Sequence, residues 1–144
     1  MARFNFYWKQ FLFVVLLTSI WINVSEVFRY FVLVIPRVKS FWNDLETVAD
    51  MNWLIFSIWG IWDTILTAFV VIIFWLYSRA FGDDLRSVVV SGSIAWGFFL
   101  LYWIGAANMG YSNWSILAVT LPLSWLEMVV ACYISSKLYL KLNG

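Results

Sequence analysis

The sequence predicts an all-α integral membrane protein: an antiparallel bundle of four transmembrane helices, with a short interfacial helix in the first, external loop. Three observations carry that prediction. Hydrophobic residues make up 64% of the 144 positions and charged ones only 12%, about half the charged share of an ordinary soluble domain. Apolar runs long enough to cross a bilayer recur along the whole chain, so one membrane domain is expected. None of these runs alternates apolar and polar residues as barrel strands do, and a helix then remains the way to satisfy the backbone in lipid.

The spans fall at about 10–35, 52–78, 87–108 and 114–136. At 1.5 Å per residue, each covers a hydrocarbon layer of ~30 Å with some tilt. The first follows "MARFNFYWKQ", whose Arg3 and Lys9 resemble a signal n-region. No small-x-small cleavage site appears, and the apolar run resumes through "YFVLVI", so it is expected to be retained, closing at Pro36. The loop after it, "PRVKSFWNDLETVADM", carries a capping-box arrangement from Asn43 to Glu46. Phe41, Leu45, Val48 and Asn52 share one helical face there, which predicts the interfacial helix, with Asp44, Glu46 and Asp50 toward water. The connectors "RAFGDDLR" and "MGYSNWS" are tight turns, so the second, third and fourth spans should run up, down and up.

Six basic residues, Arg3, Lys9, Arg79, Arg86, Lys137 and Lys141, fall on one side of this arrangement. Arg37 and Lys39 fall on the other. The positive-inside rule then places both termini in the cytoplasm, most simply at a plasma (inner) membrane.

Composition removes several function classes. There is no histidine and a single cysteine, Cys132, which excludes bis-histidine haem ligation, most zinc sites, disulfide relays and histidine acid–base chemistry. No cofactor is expected. A net charge of +1 without a basic patch argues against a nucleic-acid partner. Of the eleven tryptophans, Trp8, Trp42, Trp53, Trp75 and Trp114 fall near span ends, where indoles favour the headgroup region. Trp21, Trp59, Trp62, Trp96 and Trp125 lie deeper and are expected to pack, each indole N–H finding a neighbouring carbonyl. The sharper alternative is an aromatic site for a flat pigment or a quaternary amine.

The residues that ask for a function are acids within the spans. Counted from the expected outer span ends, Glu26, Asp63 and Glu127 lie about 14, 17 and 19 Å deep, near the middle of a ~30 Å core. Each sits on a small or polar stripe. Thr120, Ser124, Glu127, Ala131 and Ser135 form one; Gly60, Asp63 and Thr67 another; Ser19, Asn23, Glu26 and Tyr30 the third. In the third span, Ser93 and Gly97 at small-xxx-small spacing predict a packing face, continued by Gly105. A charged side chain at the bilayer centre costs ~2.5–3.5 kcal/mol on insertion scales. Arg29, three residues after Glu26, can pair with one acid, and the others can carry protons.

The candidate ion- or substrate-binding set is therefore Glu26, Arg29, Asp63 and Glu127, supported by Asn23, Thr67 and Ser124, with any metal unspecified. The plainer readings are an ion pair between Glu26 and Arg29 that locks helices, and a local bond from Asp63 to Thr67. Pro122 should kink the fourth span and open space beside Glu127. The expected function is a small ion- or proton-linked transporter or channel component, as a homo-oligomer or within a larger membrane complex. The alternative is a non-catalytic subunit or assembly factor. An enzyme is the weakest case, since only carboxylate chemistry on a lipid-like substrate would remain.

Overall fold

A computed structural model describes residues 6–41 and 52–143. All regular structure among them is helical: α1 (Trp8–Phe28), a π-helical segment (Arg29–Val34), α2 (Ile35–Phe41), α3 (Trp53–Phe81), α4 (Leu85–Asn108) and α5 (Trp114–Asn143). Four helices are long and apolar enough to cross a membrane, beginning with the continuous stretch Trp8–Val38. The expected interfacial helix, with Asn43, Asp44, Leu45, Glu46, Val48 and Asp50, lies outside the described residues.

The packing is that of a protein dissolved in lipid. Small and hydroxylated side chains fill the inside: Thr18, Thr67, Ser78, Ser91, Ser124 and Ser135 are buried. Large apolar ones such as Leu16, Ile20, Val24, Ile61, Phe69 and Phe98 face outward. Without a hydrophobic force between helices, close backbone approach and hydrogen bonds hold such bundles together. The buried hydroxyls are largely satisfied by their own helices: Thr67 and Ser135 donate to the carbonyls four residues back, at 2.6 and 2.9 Å. Thr18 and Ser135 meet across α1 and α5 at 3.3 Å.

One half of the bundle is tightly packed around an apolar cluster. Phe11, Val14, Val15 and Ile22 of α1 meet Val70, Val71 and Phe74 of α3, Val88 of α4, and Ala131, Cys132 and Tyr139 of α5. The most extensive contact joins α4 to α5. Gly92 makes it possible: a Cβ there would stand 2.8 Å from the Cα of Val129. This corrects the expectation for Gly97 and Gly105, where added Cβ atoms would meet nothing within 4 Å. Ser93, the third residue of the expected packing face, does meet α5, accepting the Trp125 indole N–H at 3.0 Å. Trp21 and Trp96 donate to carbonyls of α5, those of Glu127 and Leu121. Trp59 and Trp62, expected to pack internally, are exposed on the outer face.

The helix also continues through Pro36 rather than closing at Ile35. Proline lacks an N–H and crowds the carbonyl four residues back. The wider turns of the preceding segment shift the register, and the Ile35 N–H donates to Tyr30, five residues back. The helix ends are otherwise built from local chemistry. Asn52, Asp84 and Asn113 side chains accept from Ile55, Ser87 and Ser115 N–H groups. Gly82 and Gly110 take up the positive-φ turns, at 99° and 80°.

The α3–α4 turn holds a half-buried carboxyl. Ser136 donates to Asp83 at 2.9 Å, while the second Asp83 oxygen is buried without a partner. Burial pushes the Asp83 carboxyl above its ordinary range, against the pull of the Ser136 bond and Lys137. Asp84 next to it is held below that range by hydrogen bonds from Ser87.

Two predictions follow from these contacts. Gly92→Val should cost ~1–3 kcal/mol by overpacking against Val129, seen as a lowered thermal unfolding midpoint in detergent, while Gly97→Ala should leave the midpoint unchanged. The raised Asp83 carboxyl means the folded protein takes up that proton more readily than the unfolded chain. Its stabilising contribution is thus present at low pH and lost as pH rises through the folded value. The wild type should gain stability relative to Asp83→Asn as pH falls from 7 toward the usual carboxylate range near ~4. That difference removes the opposite contribution of Asp84, which both proteins share.

Candidate functional site

Glu26 sits near the end of α1, and Arg29 opens the π-helical segment. The two side chains form an ion pair through Arg29 Nη2 and Glu26 Oε1. A π-turn at this point matters because such bulges reorient side chains and recur at functional sites. Arg29 is only 7% exposed, and its guanidinium also lies over the Phe99 ring of α4 at 5.4 Å. Its Nη1 is buried with no hydrogen-bond partner.

Asp63 of α3 is 6% exposed. The Thr67 hydroxyl bonds to the backbone carbonyl of Asp63, not to its carboxyl. Asn23 and Ser124 likewise donate to carbonyls of their own helices, those of Ser19 and Leu121. The three residues expected to support the acids thus direct these donors along their helices. Asn23 additionally marks a close passage of α1 and α3, its Oδ1 standing 3.4 Å from where a Gly60 Cβ would be.

Glu127 of α5 is 2% exposed and among the largest fully buried side chains. Its Oε1 has no hydrogen-bond partner. The Ser25 hydroxyl lies beside its carboxyl, and Glu26, Arg29 and Asp63 are all within electrostatic reach. Trp21 pins its backbone, donating to the Glu127 carbonyl at 3.2 Å. Pro122 precedes it by five residues inside an unbroken α5.

Around this cluster lies a cavity of about 220 Å³, lined by residues of the π-helical segment and all three following long helices. Glu26, Arg29, Tyr30 and Asp63 line it with Trp59, Phe99, Trp103 and Thr120. A smaller hollow of about 50 Å³ shares Glu26, Tyr30, Trp59 and Asp63. Neither lining includes Glu127, which stands behind the cavity in the bundle. The four charged side chains are therefore neighbours, but only three of them face the open space. Among the described residues, no group of three or more histidine, cysteine, aspartate or glutamate side chains is placed to hold a metal ion.

Sequence reasoning passed over Phe99 and Trp103. Both look like lipid-facing aromatics in a span without charge, and only their four-residue spacing hints at a shared face. The Trp103 indole N–H is buried with no partner, which no sequence pattern reveals. No protein family, curated protein or solved structure matches the chain.

The ion pair should show strong coupling. Arg29→Gln alone leaves Glu26 facing a low-dielectric site without its cation and should cost ~3–5 kcal/mol. Glu26→Gln with Arg29→Gln should recover most of that loss. Thermal unfolding of the two single variants and the double variant measures the coupling directly.

Proposed function

We propose that the protein is a small proton-linked transporter or channel component of a cell membrane, in which Glu26, Asp63 and Glu127 hold or pass protons and Arg29 balances part of their charge. The observation that carries this is the Glu127 carboxyl: almost wholly buried, with one oxygen facing no donor, beside a Glu26–Arg29 pair and a second buried acid. Three acids share one guanidinium, and an apolar interior does not tolerate uncompensated charge. Protons or a cationic substrate supply the compensation. Intramembrane acids of this kind form proton relays in pumps and transporters.

On this reading the four spans run antiparallel through the bilayer, the last three joined by short turns, with both termini in the cytoplasm on the strength of the basic residues. One unit encloses a cavity of only about 220 Å³, so a homo-oligomer or a larger membrane assembly is the expected working form.

A second reading has its own support. Trp96, Trp114, Trp125, Leu117, Leu121 and Pro122 border an open apolar groove of about 610 Å³ on the α4–α5 side. Such a surface suits a subunit or assembly factor that seats against another membrane protein.

Purified protein in liposomes loaded with a pH-sensitive dye distinguishes the two. The proton-linked reading expects dye acidification under an imposed pH gradient and a membrane potential, reduced at least tenfold in Glu127→Gln. Equal silence of wild type and variant would remove it and leave the subunit reading, for which a stable complex should be recovered from native membranes.

A further inference from the structure

Two buried hydrogen-bond donors without acceptors belong to residues that line the same cavity. Arg29 Nη1 and Trp103 Nε1 are both buried and unpartnered, and both residues belong to the lining of the 220 Å³ space. They come from different elements, the π-helical segment and α4. A buried donor left unmade carries the full cost of its lost hydration. Trp75 Nε1 and Ser91 Oγ are also buried without a partner, but neither residue borders the cavity; the Arg29 and Trp103 donors do belong to its wall, and they point to an acceptor that enters it.

The sign of the surrounding charge narrows what that acceptor is. Glu26 and Asp63 line the same space, and Glu127 is within electrostatic reach of both and of Arg29. The one guanidinium is already paired with Glu26, so the site has no spare positive charge to hold an anion. A cation can meet the acids but gives the two donors no acceptor. A neutral oxygen acceptor meets both requirements.

The walls supply the rest of the description. Tyr30, Trp59, Phe99 and Trp103 give aromatic faces, and Leu66 and Val34 give apolar edges. Trp59 and Leu66 are themselves more than half exposed on the outer surface, so the space borders lipid rather than being sealed within the bundle. A molecule arriving sideways from the bilayer would place its polar oxygen between Arg29 and Trp103 and its apolar body against the rings.

We propose that the cavity among α1, α3, α4 and α5 binds a neutral, carbonyl-bearing, lipid-soluble molecule, whose carbonyl oxygen accepts from Arg29 and Trp103. Two sources share this chemistry: the ring carbonyl of a membrane quinone and the ester carbonyl of a phospholipid. This goes beyond proton movement, because binding requires no flux, and flux through the acids requires no ligand.

The test uses full-length protein in nanodiscs made of ether-linked lipids, which lack ester carbonyls. A short-tailed benzoquinone is titrated in one arm and ester-linked phosphatidylcholine in the other. Thermal stability gives the affinity, and the infrared stretch of the isotope-labelled carbonyl reports its hydrogen bonding. Saturable binding of at least one compound is expected, with its carbonyl band moved to lower frequency. Trp103→Phe keeps an aromatic six-membered ring but loses the indole N–H together with the five-membered ring. It should weaken that compound about two- to twelvefold, the usual worth of one buried hydrogen bond, and reverse part of the band shift, which loss of ring area alone would not do. Trp114→Phe, in the separate outer groove, should bind as wild type does. Quinone binding sensitive to Trp103→Phe identifies the ring source, and ester-lipid binding with that sensitivity identifies the lipid source. Absence of saturable binding in both arms overturns the proposal. Affinity and band position unchanged by Trp103→Phe would overturn it as well.

Discussion

Hydrocarbon offers no hydrogen-bond partner, and the whole structure is arranged around that constraint. Each polar group within the spans must find its partner inside the protein. The serine and threonine hydroxyls on the inner faces do so cheaply, by folding back on their own helix carbonyls, as Thr67, Thr120 and Ser135 do. Indole groups do it across helices, so that Trp21 ties α1 to α5 and Trp96 ties α4 to α5. Some buried groups are exceptions to this, among them Gln10 Oε1, Trp75 Nε1 and Ser91 Oγ in the half nearer the α3–α4 turn. Near the acids there are three: one oxygen of Glu127, one nitrogen of Arg29 and the Trp103 N–H.

The bundle divides its labour between two halves. Toward the α3–α4 turn, Val14, Val71, Phe74 and Cys132 are fully buried and α4 rides against α5 over Gly92. Such packing leaves few alternatives and fixes the helices relative to one another. Toward the α4–α5 turn, large rings replace small residues on facing surfaces, and a π-helical segment replaces the regular turns of the first span. Rings of that size cannot interdigitate as closely as Gly92 and Val129 do, and a cavity remains. The stiff half therefore sets the geometry of the open half, and the charged residues lie where the two meet.

Much of this was legible from residue order, for physical reasons. Four spans follow from run length, and the burial of Thr120, Ser124, Glu127, Ala131 and Ser135 follows from their helical spacing. The pairing of Glu26 with Arg29 follows from a three-residue separation. What was not legible depended on relations between helices. Gly97 has the spacing of a packing glycine, but Gly92 is the one that touches α5, because helix rotation about its axis is set by all neighbours at once. Trp59 looks as deep as Trp21 in sequence, yet one faces out and the other bonds to Glu127. Pro36 looks like a terminator, and it terminates nothing because the turns before it have already changed register. Depth along a helix is readable from a count of residues; direction around it is not, unless the polar stripe is strong.

The position of Glu127 behind the cavity, rather than in its wall, has a mechanistic consequence under the proposed function. A ligand seated between Arg29 and Trp103 would not touch Glu127, so influence between them passes through the charged groups that reach both, Arg29 first because the ligand bonds to it, with Glu26 and Asp63 beside it. That guanidinium already bonds Glu26, stacks on Phe99 and reaches Glu127 electrostatically. A neutral acceptor on Nη1 would hold the guanidinium in place without changing its charge. It would thereby stabilise the arrangement in which Arg29 faces Glu26 and Asp63, and make its movement toward Glu127 less favourable. Proton occupancy on Glu127 and occupancy of the cavity would then be linked, and by thermodynamic reciprocity each would bias the other to the same degree. The arrangement needs no moving domain for this, only one cation shared among three acids.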